Sequence, residues 1–218
     1  RTQSLTGRVG TVAGVLGLFH RDHVLAVGGY DGQMATEDID LTWRLLMAGW
    51  HTAYEPRALV GMEVPSTARA LWAQRKRWAR GQGEVLHRHL RDVGRWRHRR
   101  MWLLSIESVA SLLWVIALAT SVVLALLSHL FETDIWWLGF GLAWGVAITV
   151  VATVQLVVAI ALRYRYDRWS VRALLIGAIY PVVFWLFSAT AALHSQILAL
   201  IRGPREKRVV WDIPREIV

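Results

Sequence analysis

TEDIDLTWRLLMAG, residues 36–49, is the stretch whose reading decides the fold. Thr36 stands where a helix N-cap belongs, its hydroxyl placed to accept from an early backbone N–H. Glu37, Asp38 and Asp40 crowd the first turn, where the helix dipole favours negative charge. Ile39, Trp43, Leu46 and Met47 recur at helical spacing, and Gly49 supplies the C-terminal stop. The pattern predicts a helix over residues 36–48. Successive helical residues lie about 100° apart, so Asp38 and Asp40 face nearly opposite sides and only one of them can enter a given cleft. Acids in a first turn also serve the dipole with no chemistry attached, so the neighbouring segments have to decide.

Upstream, TVAGVLGLF at residues 11–19 reads as a buried strand containing Gly14 and Gly17. A glycine inside a strand marks either a close approach by ligand or backbone, or a simple bend. His20-Arg21-Asp22-His23 begins a short helical turn that Gly28-Gly29 ends. Downstream, residues 51–54 suit a short strand, Glu55-Pro56 a turn, and residues 58–64 a further strand before Pro65. Strand, helix and strand in this order predict an α/β layer, with a ligand site beside its loops and helix starts.

From Thr67 the helical period returns. Leu71, Trp72, Trp78, Val85 and Leu86 supply an apolar side, interleaved with Arg69, Arg75, Lys76, Arg77 and Arg80. Such a helix suits a membrane interface. Gln74, Arg77 and Trp78 could equally line a site, because Arg grips phosphate oxygens bidentately and Trp offers a flat stacking face. Periodicity leaves anchor and site both open. Arg88, Arg91, Arg95, Arg97, Arg99 and Arg100 then crowd residues 87–100, as a cytosolic border before a span does.

Composition agrees with a membrane. The 218 residues are 55% hydrophobic, carry a formal charge of +9 and include 13 Trp. That is too apolar for an ordinary soluble protein. The basic residues sit at the borders of apolar runs, which favours lipid headgroups over nucleic acid as their partner. Cysteine is absent, which excludes disulfides, thiolate nucleophiles and Cys-based metal sites. With neither an initiator Met nor a signal peptide at Arg1, the chain reads as an internal fragment.

Residues 101–130, 136–162 and 173–201 are each long enough to span a bilayer. Residues 131–135 carry Glu132 and Asp134, which suits the outside, whereas Arg163, Arg165, Arg168 and Arg172 mark a cytosolic loop. Three crossings would leave the basic tail, 202–218, outside, against its charge. A break at Pro181 is the alternative. Glu107 lies inside the first run, where an ionisable group is a functional candidate lining a channel, unless it meets Arg99 or Arg100. Helix–helix hydrogen bonding explains His194 and Gln196. Four regions follow: 1–66, the end of an α/β catalytic domain; 67–100, amphipathic interface helices; 101–201, an all-α transmembrane region; and the tail.

Phe19-His20-Arg21, Val27-Gly28-Gly29-Tyr30, Thr36-Glu37-Asp38-Ile39-Asp40-Leu41, Tyr54-Glu55-Pro56 and Gln74-Arg75-Lys76-Arg77-Trp78 together resemble the second half of processive family 2 glycosyltransferases. The likeness is greatest to the bacterial members that make poly-N-acetylglucosamine for biofilm. It implies the C-terminal part of a GT-A-type domain. It also implies that Asp38 is the general base deprotonating the acceptor hydroxyl, with Thr36 and Glu37 holding that loop, and Gly14 in the substrate-binding set. Gln74, Arg77 and Trp78 match the pentad QxxRW, with Arg77 near the donor diphosphate and Trp78 near the acceptor sugar. The product would be a β-linked exopolysaccharide made from a UDP-sugar by inversion at the cytosolic face of a bacterial inner membrane. A small membrane partner subunit is implied as well.

His20 departs from the Arg frequent in relatives. The uridine-binding Asp and the DxD that binds Mg²⁺ or Mn²⁺ precede Arg1 in the resemblance, and no metal ligand is assigned here. The chain alone is therefore expected to be inactive. A non-processive transferase using a lipid-linked acceptor is one alternative. A transporter or channel subunit with a basic cytosolic domain is another, and would show broken half-helices and paired intramembrane charges.

Overall fold

The acidic stretch forms a helix where its pattern predicts one. In the computed structural model, which describes residues 9–131, 138–164 and 180–205, this helix runs Glu37–Met47. Its end is a Schellman turn: Gly49 takes φ +95°, its N–H bonds to the Leu46 carbonyl, and the Trp50 N–H bonds to the Leu45 carbonyl. Gly28 and Gly29 close the preceding helix with φ of +87° and +73°.

We label the helices α1 (Arg21–Ala26), α2 (Glu37–Met47), α3 (Ala68–Val93), α4 (Trp102–Leu130), α5 (Leu138–Arg163), α6 (Tyr180–Ala191) and α7 (Ile197–Arg202). A 3₁₀ segment, Trp96–Met101, leads into α4, and a π-helical segment, Ala192–Gln196, joins α6 to α7. Thr67 caps α3 by accepting from the Ala70 N–H at 3.2 Å. The chain divides into two compact units, parted after Leu112 and before Ala191.

The first unit has its core where α2, α3, the 3₁₀ segment and the start of α4 meet. Met34, Trp43, Leu46, Val85, Leu86, Val93 and Met101 are buried there, with Ile39, Met47, Leu104, Val109 and Leu200 packed around them. Each such side chain contributes roughly 1.5–3 kcal/mol when fully buried. Gly83 of α3 allows α7 to come close: a Cβ there would lie 2.3 Å from the Gln196 carbonyl oxygen. His87, one turn on, donates through Nδ1 to the Leu200 carbonyl at 2.7 Å.

The second unit holds most of α4, with α5 and α6. Two described stretches, Trp96–Leu130 and Val183–Arg202, are long and apolar enough to cross a membrane by length and composition; Val150–Leu162 is a shorter apolar helix. Pro181 lies at the edge of the described residues, and the irregularity described in this last run is the π-helical segment. The predicted span ends at 136–137 and 173–179, the charged loop at 165–172 and most of the tail lie outside the described residues.

Two sequence expectations need correction. Residues 11–19, 51–54 and 58–64 form no strand, and none occurs among the described residues. A strand needs a ladder partner, whereas these segments are tied down by isolated bonds. The Val12 N–H donates to Thr42 Oγ1 at 3.3 Å, and Thr52 Oγ1 donates to the Val9 carbonyl at 3.0 Å. Leu59, Val60, Met62 and Val64 stay exposed. The second correction concerns Thr36. Its side chain makes no capping bond; it is buried against α3 instead.

Candidate active site

The site is built where one stripe of α3 meets the start of α2. Positions 74, 77, 81, 84 and 88 recur every three or four residues and so share a helix face. Gly81 sits so close to Thr36 that a Cβ there would fall 2.2 Å from Thr36 Oγ1. Glu84 is fully buried and accepts from the Ala35 N–H at 2.8 Å, while Arg80, one turn earlier, donates to its other oxygen. Arg77 is half-buried. Burial pushes its guanidinium pKa down, and the charges of Glu37 and Asp38 oppose that push. Trp78 is 40% exposed, with the Arg75 guanidinium 4.2 Å from its ring centroid. Gln74 is partly buried one turn earlier.

Asp38 and Asp40 part company as helical geometry requires. Asp38 is partly exposed and accepts from the Gly14 N–H at 2.8 Å and the Ile39 N–H at 2.9 Å. Gly14 leaves room for this carboxylate, since a Cβ there would stand 3.1 Å from Asp38 Oδ2. Tyr30 lies on the same side. Burial raises its hydroxyl pKa, and the charges of Asp38 and Glu37 raise it further, so the phenol remains a proton donor at neutral pH.

Asp40 is fully buried and serves as a structural hub. Arg44 donates to its Oδ2 at 2.8 Å, while His89 and Arg88 meet its Oδ1 at 2.7 and 3.2 Å. Arg44 also grips the carbonyls of Val27 and Gly29, and Arg88 pairs with Asp31 at 2.6 Å. The glycine loop is thereby tied to both helices. Arg88, which the sequence places in a basic border before a span, is engaged in this network. An open groove of about 600 Å³ lies beside it, lined by Tyr30, Asp31, Gln33, Arg44 and Arg88.

The D-I-D run therefore does not fit the divalent cation that the resemblance implies. Its two carboxylates point apart, and the second is occupied by three cationic or hydrogen-bonding partners. No cluster of three metal-ligating side chains occurs among the described residues.

Glu107 is exposed on α4. It lines a cleft of about 300 Å³ with Thr11, Gln82, Ser108, Ser111 and Gln196. Gln82 donates to Ser108 Oγ at 3.0 Å within that lining.

Sequence reasoning missed Gly81, Glu84, Arg88 and His89 as partners of the acidic helix. A visible signal existed, the three-and-four spacing running on from Gln74 and Arg77. Two expected outcomes follow from this contact. Gly81→Ala forces Thr36 and α3 apart and lowers stability by about 1–3 kcal/mol, the usual cost of overpacking; a chemical-denaturation midpoint no lower than wild type would contradict the close contact. The second concerns acid. Burial raises the Asp40 pKa, but His89, Arg44 and Arg88 outweigh it and hold the carboxyl below its ordinary value. Asp31 is likewise lowered, burial being outweighed by the Gln33 N–H and Arg88. Their stabilisation is complete above the ordinary carboxylate pKa of about 3.9 and is lost as pH falls below it, through the depressed folded values. A thermal midpoint flat from about pH 7 to 5 and falling below about pH 4 is expected, with a smaller acid loss in Asp31→Asn.

The start of the acidic helix packs on the α3 stripe that carries the QxxRW run, and comparison with known proteins identifies the family. The profile described as "Glycosyl transferase family group 2" matches residues 1–195, and the chain belongs to that family. Curated relatives include two named poly-beta-1,6-N-acetyl-D-glucosamine synthase. The chain is 32% identical over 220 residues to the one from Staphylococcus epidermidis (strain ATCC 35984), and 34% identical over 222 residues to the one from Staphylococcus aureus (strain COL). Each match covers 98% of this chain and 52% of the relative, so the chain spans about half the length of the curated relatives it matches. No solved structure gives a significant match.

Proposed function

We propose that the full-length protein is an inverting, processive glycosyltransferase. It polymerises a UDP-sugar, UDP-N-acetylglucosamine by preference, into a β-linked exopolysaccharide at the cytosolic face of a bacterial inner membrane. The observation that carries this reading is the packing of the QxxRW-bearing helix α3 on the start of the acidic helix, with Gly81 closing the contact at Thr36.

In this reading Asp38 takes the acceptor hydroxyl proton as that oxygen attacks the anomeric carbon, with the sugar–phosphate bond breaking on the opposite side. A base must lie within hydrogen-bond reach of its proton, and the Gly14 N–H holds one Asp38 oxygen while the residue remains partly open. Arg77 faces the departing diphosphate, Gln74 lies beside it, and the half-exposed Trp78 offers the acceptor sugar a stacking face.

The interface region 67–100 lies against lipid, with spans at 101–130, 136–162 and 173–201 carrying the product outward. The polar cleft at Glu107, Ser108, Ser111 and Gln196 suits the entry of a saccharide into the apolar helices, because its side chains offer both donors and acceptors.

The test uses membranes containing the full-length protein, incubated with a panel of UDP-sugars. Long polymer is expected from UDP-N-acetylglucosamine at the earliest times. Single-sugar addition to a lipid-linked acceptor would overturn processivity, and no incorporation from any UDP-sugar would overturn the whole reading.

A further inference from the structure

Glu84 is a fully buried carboxylate that the proposed chemistry does not use. It stands on α3, seven positions beyond Arg77 and on the same face, and its two oxygens have different partners. Oε2 accepts from the Ala35 N–H at 2.8 Å; Oε1 accepts from Arg80. Ala35 is itself buried and stands one residue before the start of the acidic run. Its N–H lies outside α2, where no carbonyl of that helix can reach it. A buried backbone donor needs an acceptor, and a side chain from another helix supplies one.

We infer that Glu84 is a positioning residue that fixes the loop before Asp38 and thereby sets the proposed general base against α3; this rests on the function proposed above. Four features support it. The contact joins residues far apart in sequence, so it fixes one helix relative to another rather than stabilising α3 locally. Arg80 holds the carboxylate in the orientation that meets Ala35, as a charge-assisted bond does. Gly81, between Arg80 and Glu84, removes the Cβ that would push Thr36 away. The hydroxyl of Thr36 makes no capping bond, so the side chain of that residue does not fix the loop by itself. A displacement of about 1 Å at a reacting group can cost about a hundredfold in rate, so the buried bond next to the acidic run is a sensitive point.

An ion pair that merely stabilised α3 would give the same loss on single substitution, so the test removes both charges together. Arg80→Met/Glu84→Gln keeps a carbonyl oxygen able to accept from Ala35; Arg80→Met/Glu84→Leu does not, and Arg80→Met/Glu84→Met replaces it if the Leu pair fails to fold. In full-length protein the Gln pair is expected to keep kcat within about threefold of wild type. The Leu or Met pair should lose at least about tenfold in kcat with donor KM within about twofold, the signature of misplaced chemistry rather than lost binding. Amide exchange at residues 34–37 should be at least about tenfold faster in the Leu or Met pair than in the Gln pair, with residues 41–46 alike in both. Equal kcat and equal exchange in the two pairs, whether high or low, would overturn the inference. If wild type makes no polymer from any UDP-sugar, the functional reading fails, and the exchange comparison by itself decides whether Glu84 holds the loop.

Discussion

Asp38→Asn in the full-length protein is expected to lower polymer synthesis by about 10²- to 10⁴-fold, the usual contribution of a positioned general base. Asn keeps the size of the side chain and can still accept from the Gly14 N–H, so the loop over residues 11–17 stays attached to α2. What it cannot do is take a proton. Donor binding should therefore survive, and the loss should fall on kcat. Initial rates in membranes with UDP-N-acetylglucosamine measure this directly. A rate within about threefold of wild type would remove Asp38 from the role of base.

Asp40→Ala, only two residues away, is expected to fail in a different manner. It leaves Arg44, Arg88 and His89 gathered around a buried position without their shared carboxylate. Removing one partner of a buried charge network costs about 3–5 kcal/mol. The damage spreads, because Arg44 also holds the Val27 and Gly29 carbonyls and Arg88 holds Asp31. Denaturant unfolding of the purified protein should show the full loss, and faster amide exchange should appear across residues 27–35. Asp40→Asn should cost less, since it retains an acceptor for one neighbour. An Asp40→Ala midpoint equal to wild type would contradict the hub.

These two acids show how far the sequence could be read. The helix, its glycine stop and the opposite facing of Asp38 and Asp40 follow from periodicity and turn chemistry, which are local. The helical period of α3 was also legible, as were the two long apolar stretches. The partners of Asp40 and of Ala35 were not, because His89 and Glu84 lie far along the chain and no local rule pairs them. The partners of Arg88 were hidden for the same reason: in a run rich in arginine, composition does not single out the residue that meets a buried carboxylate. The strands failed for another reason. β-Branched residues favour extended backbone, but a ladder needs a second strand, and the described residues offer none. Thr36 illustrates a tertiary contact overriding a local preference, since the absence of a Cβ at Gly81 draws its side chain into the helix contact and away from the capping position.

The proposal depends on residues 36–38 and the QxxRW run serving one reaction centre. A double-mutant cycle of Asp38→Asn and Arg77→Lys on kcat in the full-length protein tests that most directly. Groups that act as a unit are strongly non-additive, so the double variant should be little slower than Asp38→Asn alone. Losses that multiply in full would mean that the two runs work independently, and would contradict a shared centre.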